Sequence, residues 1–419
     1  MSIVEFTEET RQQVGRIGSA DIVIGIAGEI APEELRTRTE RILEDLGSGV
    51  APLRFVFAWP GQGSDPAFTT FNDGEQASLA LLPFTPAGHA GGEFWVPVSA
   101  NQRAVLSLAA SLNARACIVI GSDMAALKAH VIQLFAYAIL DRGCGLAMPI
   151  YPAGKYDGLV NAGILSPLSR ALYGRRIRYP LTFDFAVSGG MSGRLVRGAP
   201  SNDHSGNALL WPVALAATQS PQDPVGQVQV DVRHEVSTGG LDLSAVLSQI
   251  VGSLFHDMEV FAPQWQRIRG SQPASVWGSG PSDEAETDGS IDTGGMLDSF
   301  HLGSKNLDEV WRLILPPNSM LELRRLTRMP AEHFHLPDEL WASIVYDFAL
   351  AWRLRTISRV HLLGALTPLY LGWAASWVRE ASTLTRAALE QRQEQFCRAW
   401  EEKKPYLLSR WRWPDRFNP

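Results

Sequence analysis

Between Ile150 and Ser188 the chain places Lys155, Asp157, Arg170, Arg175, Arg176, Arg178 and Asp184 among apolar residues and three prolines. Charges spaced through an apolar stretch suit a polar cleft walled by a packed scaffold. Lys155, Tyr156 and Asp157, with the arginines that follow, supply donors suited to a diphosphate or a carboxylate. Arg175, Arg176 and Arg178 read equally as a solvated turn after Gly174. Asp157 and Asp184 lie where a carboxylate needs a partner, and a buried Asp–Arg pair accounts for them without catalysis. Asp123 closely follows the apolar run ACIVI. A carboxylate there can hold a hard divalent cation that bridges a diphosphate, or it can cap the next helix. His234, in the alternating run QVDVRHEVS, is either a metal ligand or an ordinary strand-edge histidine.

Nucleophilic catalysis has little support. Gly-x-Ser-x-Gly is missing, and so are the glycine loops of dinucleotide and P-loop sites. None of the nine histidines forms an HExxH pair. The glycine-rich stretch Ser188–Gly193 makes turns.

These groups need a frame. Residues 20–27 (ADIVIGIA) read as a buried parallel strand. Pro32-Glu33-Glu34 then opens a helix, with proline and acids in its first turn. Residues 52–59 read as a second strand, Gln102–Asn113 as a helix, Ala116–Ile120 as a third strand and Met124–Ile139 as another helix. This alternation predicts a doubly wound α/β domain, whose ligands sit at the carboxyl ends of the strands. Gly121-Ser122-Asp123 is placed there. From Ser279 to Gly295 the chain carries five carboxylates and a single large aliphatic, Ile291, the composition of a solvated loop or linker. Beyond it, helices are expected to start at Asn306 and at Pro337-Asp338, with a long one from Ser382 to about Glu402. The tryptophans of this part are expected to fill core and interface.

With 419 residues, 45% apolar and 19% charged, the chain can bury a large core. A net charge of -7 and a pI near 5.8 do not advertise nucleic-acid or anionic-membrane binding. Three cysteines without a CxxC pair argue against structural zinc and disulfides. The polar, acidic start MSIVEFTEETRQQ is wrong for a signal peptide. Between Arg359 and Arg379 lie 19 uncharged residues, close to a bilayer span. His361, Thr367, Pro368, two glycines and Ser376 within them point instead to a buried helix pair bent at Pro368. A cytoplasmic protein without membrane insertion is expected, and a homodimer is compatible with it.

Several blocks together resemble nucleotide-sugar-dependent glycosyltransferases of the GT-A fold, in particular the glucosylglycerate, mannosylglycerate and glucosyl-3-phosphoglycerate synthases. The blocks are IVIGSDM (118–124), the run 155–188, VRHEVSTGGLDLSAVLSQIVGSLFHDME (232–259), WASIVYDFALAW (341–352) and LTPLYLG (366–372). The resemblance implies a GT-A-like doubly wound mixed sheet with a C-terminal α-helical domain. The boundaries read as 1–278 for the nucleotide-sugar and acceptor region, 279–296 for the acidic linker and 297–419 for the helices. It implies transfer of a hexose from a GDP- or UDP-linked donor to a small hydroxy acid such as glycerate, with retention. Mg2+ or Mn2+ would be held by Asp123 and His234. Asp184 and Asp157 would be catalytic, and Lys155, Tyr156 and Arg103 would bind substrate.

The motifs are degenerate. Gly121 stands where relatives carry the first acid of Asp-x-Asp, and Thr182-Phe183-Asp184 stands for Gly-Gly-Asp. SANQRAV, with Arg103 its only cation, replaces a glycine- and lysine-bearing loop. Ala58-Trp59-Pro60 replaces an acidic nucleotide-contacting turn. Ser205-Gly206-Asn207-Ala208 stands for a Gly-x-Asp. These departures leave open a second reading, a catalytically silent glycosyltransferase-like protein that binds a partner or ligand.

Overall fold

The structure, a computed structural model, describes residues 5–28, 30–46, 53–61, 78–85, 95–121, 123–198, 209–233, 242–279 and 291–414. His234, the segment 205–208 and most of the acidic stretch lie outside them. The chain divides into two compact units. One comprises Met1–Pro152, Ile177–Gly239 and Pro273–Ser282, the other Ala153–Arg176, Gly240–Gln272 and Asp283–Pro419. Segments 153–176 and 240–272, read from the sequence as part of the region 1–278, thus cluster with the C-terminal helices.

The first unit is built on strands β1 (Ile22–Ile26), β2 (Arg54–Pro60), β3 (Ser78–Phe84), β4 (Ala116–Ile120) and β5 (Leu146–Ile150). Beyond β6 (Arg175–Arg176), a two-residue strand outside the sheet, come β7 (Phe185–Ser188) and β8 (Val225–Gln229). After β9 (Gln272–Pro273), also outside it, β10 (Ser275–Trp277) completes the set. The sheet runs β10-β8-β5-β7-β4-β1-β2-β3. β7 alone is antiparallel to its neighbours, β4 and β5, and the other pairs are parallel. This is the mixed sheet expected from the alternation of elements. Every residue of β1 and β4 is buried, which is why both read as unbroken apolar runs rather than alternating ones. The sequence reading missed β3, whose Pro83 weakens the strand signal. Proline is tolerated there because β3 is an edge strand.

Helix Trp95–Ser111 packs on β1 and begins earlier than the expected Gln102. The close approach requires Gly25, since a Cβ there would fall within the Val105 side chain. The helix expected from Met124 begins only at Ala129, with Lys128 as its cap. Asp123 Oδ1 instead accepts the Ala125 N–H at 3.1 Å, and Met124 takes φ 53°, so 123–128 is turn rather than helix.

The second unit is mainly helical. Its core holds Trp311, Trp341, Trp373 and Trp400, all nearly or fully buried. Trp341 Nε1 donates to the Gly163 carbonyl at 2.8 Å, and Trp311 Nε1 to that of Ala365 at 2.9 Å. Trp311 and Trp341 therefore spend their polar atoms on packing, whereas Trp400 Nε1 is buried without a hydrogen-bond partner among the described residues. Arg359–Ser382 is one helix containing Pro368, not the expected pair. Gly303 on helix Thr293–Asn306 leaves room for the Pro368 ring. Among the described residues no helix is long and apolar enough to cross a membrane. Asn306 ends a helix instead of starting one, and Ser382 likewise, the last helix running Arg386–Arg412 from a Thr385 cap. Pro337 does cap Asp338–Leu354.

Candidate functional site

At the carboxyl edge of the sheet, β4 runs into Gly121, β5 into Tyr151, and the antiparallel β7 begins just after Asp184. Parallel and antiparallel strands meeting there bring three distant stretches together. Asp184 has no exposed surface. Its Oδ1 accepts the Gly121 N–H at 2.8 Å and its Oδ2 the Tyr151 hydroxyl at 2.8 Å. Burial pushes the Tyr151 phenol well above its ordinary pKa. The Asp184 carboxylate adds to this, and Asp123 contributes by its charge. The phenol therefore stays protonated and keeps donating to Asp184. The resulting node clamps the backbone two residues before Asp123. Asp123 itself is exposed beyond β4.

The residues before Asp184 are held just as firmly. Thr182 Oγ1 donates to the Asp184 carbonyl at 2.6 Å. Gln102 Nε2 donates to the carbonyls of Thr182 and Phe183 at 3.3 and 3.1 Å. The Phe183 ring stacks on Trp95 with centroids 4.3 Å apart and planes at 10°. Bulk at this position is thus absorbed by an aromatic pair on the helix Trp95–Ser111. Gln102 sits in the segment SANQRAV, which is helical and carries no lysine.

Of the expected site residues, Arg103, Asp123 and Asp184 belong to the first unit, and Asp123 and Asp184 share one edge. Arg103 Nη2 donates to the Leu209 carbonyl at 3.3 Å. Lys155, Tyr156 and Asp157 belong to the second unit. Asp157 Oδ2 accepts the Gly154 N–H at 2.7 Å, closing a turn that continues through Gly158 at φ 63°. The pairing of buried aspartates with arginine is not what these contacts show. Arg170, with a 5% exposed side chain, is instead held by Glu394 and Glu401. Arg176 reaches Ser271 and Glu394 rather than forming a solvated turn with Arg175. His234 lies outside the described residues. Tyr151 and Gln102 were missed. Tyr151 could have been found, because it directly follows the apolar run LAMPI and so marks a strand's carboxyl end.

Among the described residues no three His, Cys, Asp or Glu side chains cluster so as to hold a metal. A cation caged by these residues alone does not fit. A cation that arrives with a diphosphate needs only one or two protein carboxylates, the usual habit of Mg2+, and the exposed Asp123 fits that.

The first unit is thus a mixed, mostly parallel α/β sheet flanked by helices, and the second unit is mainly helical. Solved structures that the chain is similar to include those of glucosyl-3-phosphoglycerate synthase from Mycobacterium tuberculosis. The complex with UDP is 13% identical with a TM-score of 0.35, covering 59% of this chain and 83% of that one. The complex with Mn2+, UDP and glucosyl-3-phosphoglycerate is 13% identical with a TM-score of 0.36, covering 61% and 84%. The complex with Mn2+, UDP-glucose and glycerol 3-phosphate is 12% identical with a TM-score of 0.35, covering 65% and 94%. No protein-family model matches the chain, and no curated protein matches its sequence.

Proposed function

We propose that the chain is a nucleotide-sugar-dependent glycosyltransferase, moving a hexose from a GDP- or UDP-linked donor to a small hydroxy acid such as glycerate with retention of configuration. The observation that supports this most is an exposed carboxylate, Asp123, set just past β4 on a backbone pinned by the Gly121–Asp184–Tyr151 node. Preorganised groups at a strand's carboxyl end are what a diphosphate-leaving reaction needs, because they need not reorganise as charge develops. Asp123, with His234 as its partner ligand, would hold Mg2+ or Mn2+, which when bound would neutralise charge on the departing diphosphate. Asp184, enclosed and bonded through both oxygens, serves in this proposal as a positioning residue. Asp157 remains the catalytic carboxylate, with Lys155, Tyr156 and Arg103 as substrate-binding groups. A cytoplasmic location and a homodimer belong to the same proposal.

One contact favours a second reading, a silent binding protein. Gly121 stands in place of the first metal acid, and its N–H is already taken by Asp184. Calorimetry of UDP and GDP with and without Mn2+ separates the two. For the transferase, Mn2+ tightens binding of one nucleotide and Asp123→Ala removes that gain along with sugar transfer. Nucleotide binding that is indifferent to Mn2+ for every common base would leave the silent reading. Full transfer activity in Asp123→Ala would sink the assignment of this residue.

A further inference from the structure

A cleft lies in the first unit, between β8, β10 and the helix Ala129–Ala136. Asp231 stands two residues beyond β8 and His130 in the first turn of that helix. His130 Nε2 and Asp231 Oδ1 are 2.8 Å apart, and Lys128 Nζ lies 3.7 Å from the same oxygen. All three side chains are about half exposed. His130 and Asp231 border a cavity of about 500 Å3, which Gln133, Tyr137 and Gln229 also line. That volume falls within the range of roughly 300–1,000 Å3 common for small-molecule sites. Gly278 forms part of its wall at φ +88°, and a Cβ there would come 2.9 Å from the Gln229 carbonyl oxygen. Glycine is the residue that keeps this wall both open and unstrained.

The charges select the ligand. The hydrogen bond from His130, with help from Lys128, holds the Asp231 carboxylate below its usual range, so it is ionised at neutral pH. An anionic ligand would meet that carboxylate. A cationic one would be repelled by Lys128, whose ammonium lies 3.7 Å from the same carboxylate. A neutral polyhydroxylated ligand meets neither penalty. Each of its hydroxyls both donates and accepts, which matches the Gln133 and Gln229 amides, the Asp231 carboxylate and the Tyr137 hydroxyl. Tyr137, 40% exposed, adds apolar surface for the ligand's C–H groups. We propose that this cleft binds a neutral sugar or polyol, independently of nucleotide and metal.

The test is an NMR titration of the His130 imidazole in the full chain, without nucleotide or divalent cation. The probes are D-glucose and glycerol, with inorganic phosphate as the anionic control. The proposal predicts a saturable shift of His130 with glucose or glycerol and none with phosphate. Asp231→Asn and Gln133→Ala, both at exposed positions, should each weaken binding by about tenfold, with circular dichroism confirming the fold. No saturable shift with either polyol, a stronger response to phosphate, or unchanged affinity in both variants would each overturn it. Because nucleotide is left out, failure here does not touch the transferase proposal, and loss of nucleotide binding does not touch this one.

Discussion

Replacing Asp184 by asparagine distinguishes a positioning carboxylate from a reacting one. In the native node both carboxylate oxygens accept, one from the Gly121 N–H and the other from the Tyr151 hydroxyl. Asparagine can keep its oxygen on Gly121 and turn its amide nitrogen to Tyr151. The phenol then rotates and accepts instead of donating. Two hydrogen bonds survive, but they lose the assistance of the charge. Charge-assisted bonds are worth about 1.5–3 kcal/mol and neutral ones about 0.5–1.5, so the loss over the two bonds should be about 2–3 kcal/mol. Asp184→Ala, which strands the buried Gly121 N–H and Tyr151 hydroxyl, should cost about 3 kcal/mol or more. Urea denaturation of the three proteins gives these differences. Calorimetry should find nucleotide affinity in Asp184→Asn within about tenfold of the native value, a shift of about 1.4 kcal/mol. The phenol supplies an independent readout. Its folded pKa is raised, so its contribution is complete below the ordinary tyrosine value and is lost as pH climbs through the folded one. Asp184→Asn removes a carboxylate that raises it, so Tyr151 should ionise at lower pH by ultraviolet titration. A loss of transfer rate of about a thousandfold or more with unchanged nucleotide affinity, of the size that removal of a reacting group causes, would refute the reasoning and put Asp184 at the reacting atoms.

The helical unit should carry a pH dependence of its own. Asp347, 1% exposed, accepts from the Tyr406 hydroxyl at 2.9 and 2.8 Å and from Arg410 Nε at 3.3 Å. Burial nevertheless pushes its pKa up from 3.8 to about 7. The unfolded chain releases this proton first, so the group's contribution to stability falls as pH rises from about 4 to about 7. Thermal unfolding followed across that window should show the decline, and Asp347→Asn should flatten it. Gly25→Ala should destabilise by about 2 kcal/mol through overlap with Val105. Val105→Ala in the same chain should recover only part of that loss in denaturant unfolding, because its Cβ, 2.7 Å from the added one, remains.

Much of the scaffold was legible in the sequence because it follows from burial alone. A strand covered on both faces must be apolar throughout, so ADIVIGIA and ACIVI announced β1 and β4. Proline and acids in the first turn announced the helix Pro32–Leu46. Indole rings too large to leave in water announced a tryptophan core in the helical part. The limits of these cues are as physical. β3 was missed because an edge strand can accept a proline that a central one cannot. The helix after Asp123 was drawn too early because a side chain that can cap a helix can also close an Asx turn. Asp157 shows the same ambiguity, its carboxylate taken up by the turn at Gly154.

The candidate site followed a different rule. Composition and spacing singled out Asp123 and Asp184 as carboxylates in apolar surroundings, and desolvation guarantees that such groups have partners. Which partners they have is a property of strand order. The antiparallel insertion of β7 between β4 and β5 put Asp184 between Gly121, 63 residues away, and Tyr151, 33 residues away. No local pattern encodes that meeting, in which a carboxylate is held by a backbone amide and a phenol. The sequence by itself determined that the chain would bury a doubly wound core and that its isolated acids would need satisfying, because hydrophobic burial and desolvation act on each residue wherever it lies. Only the tertiary structure decided that Asp184 would be enclosed while Asp123 stayed exposed, because that depends on which strand ends are brought side by side.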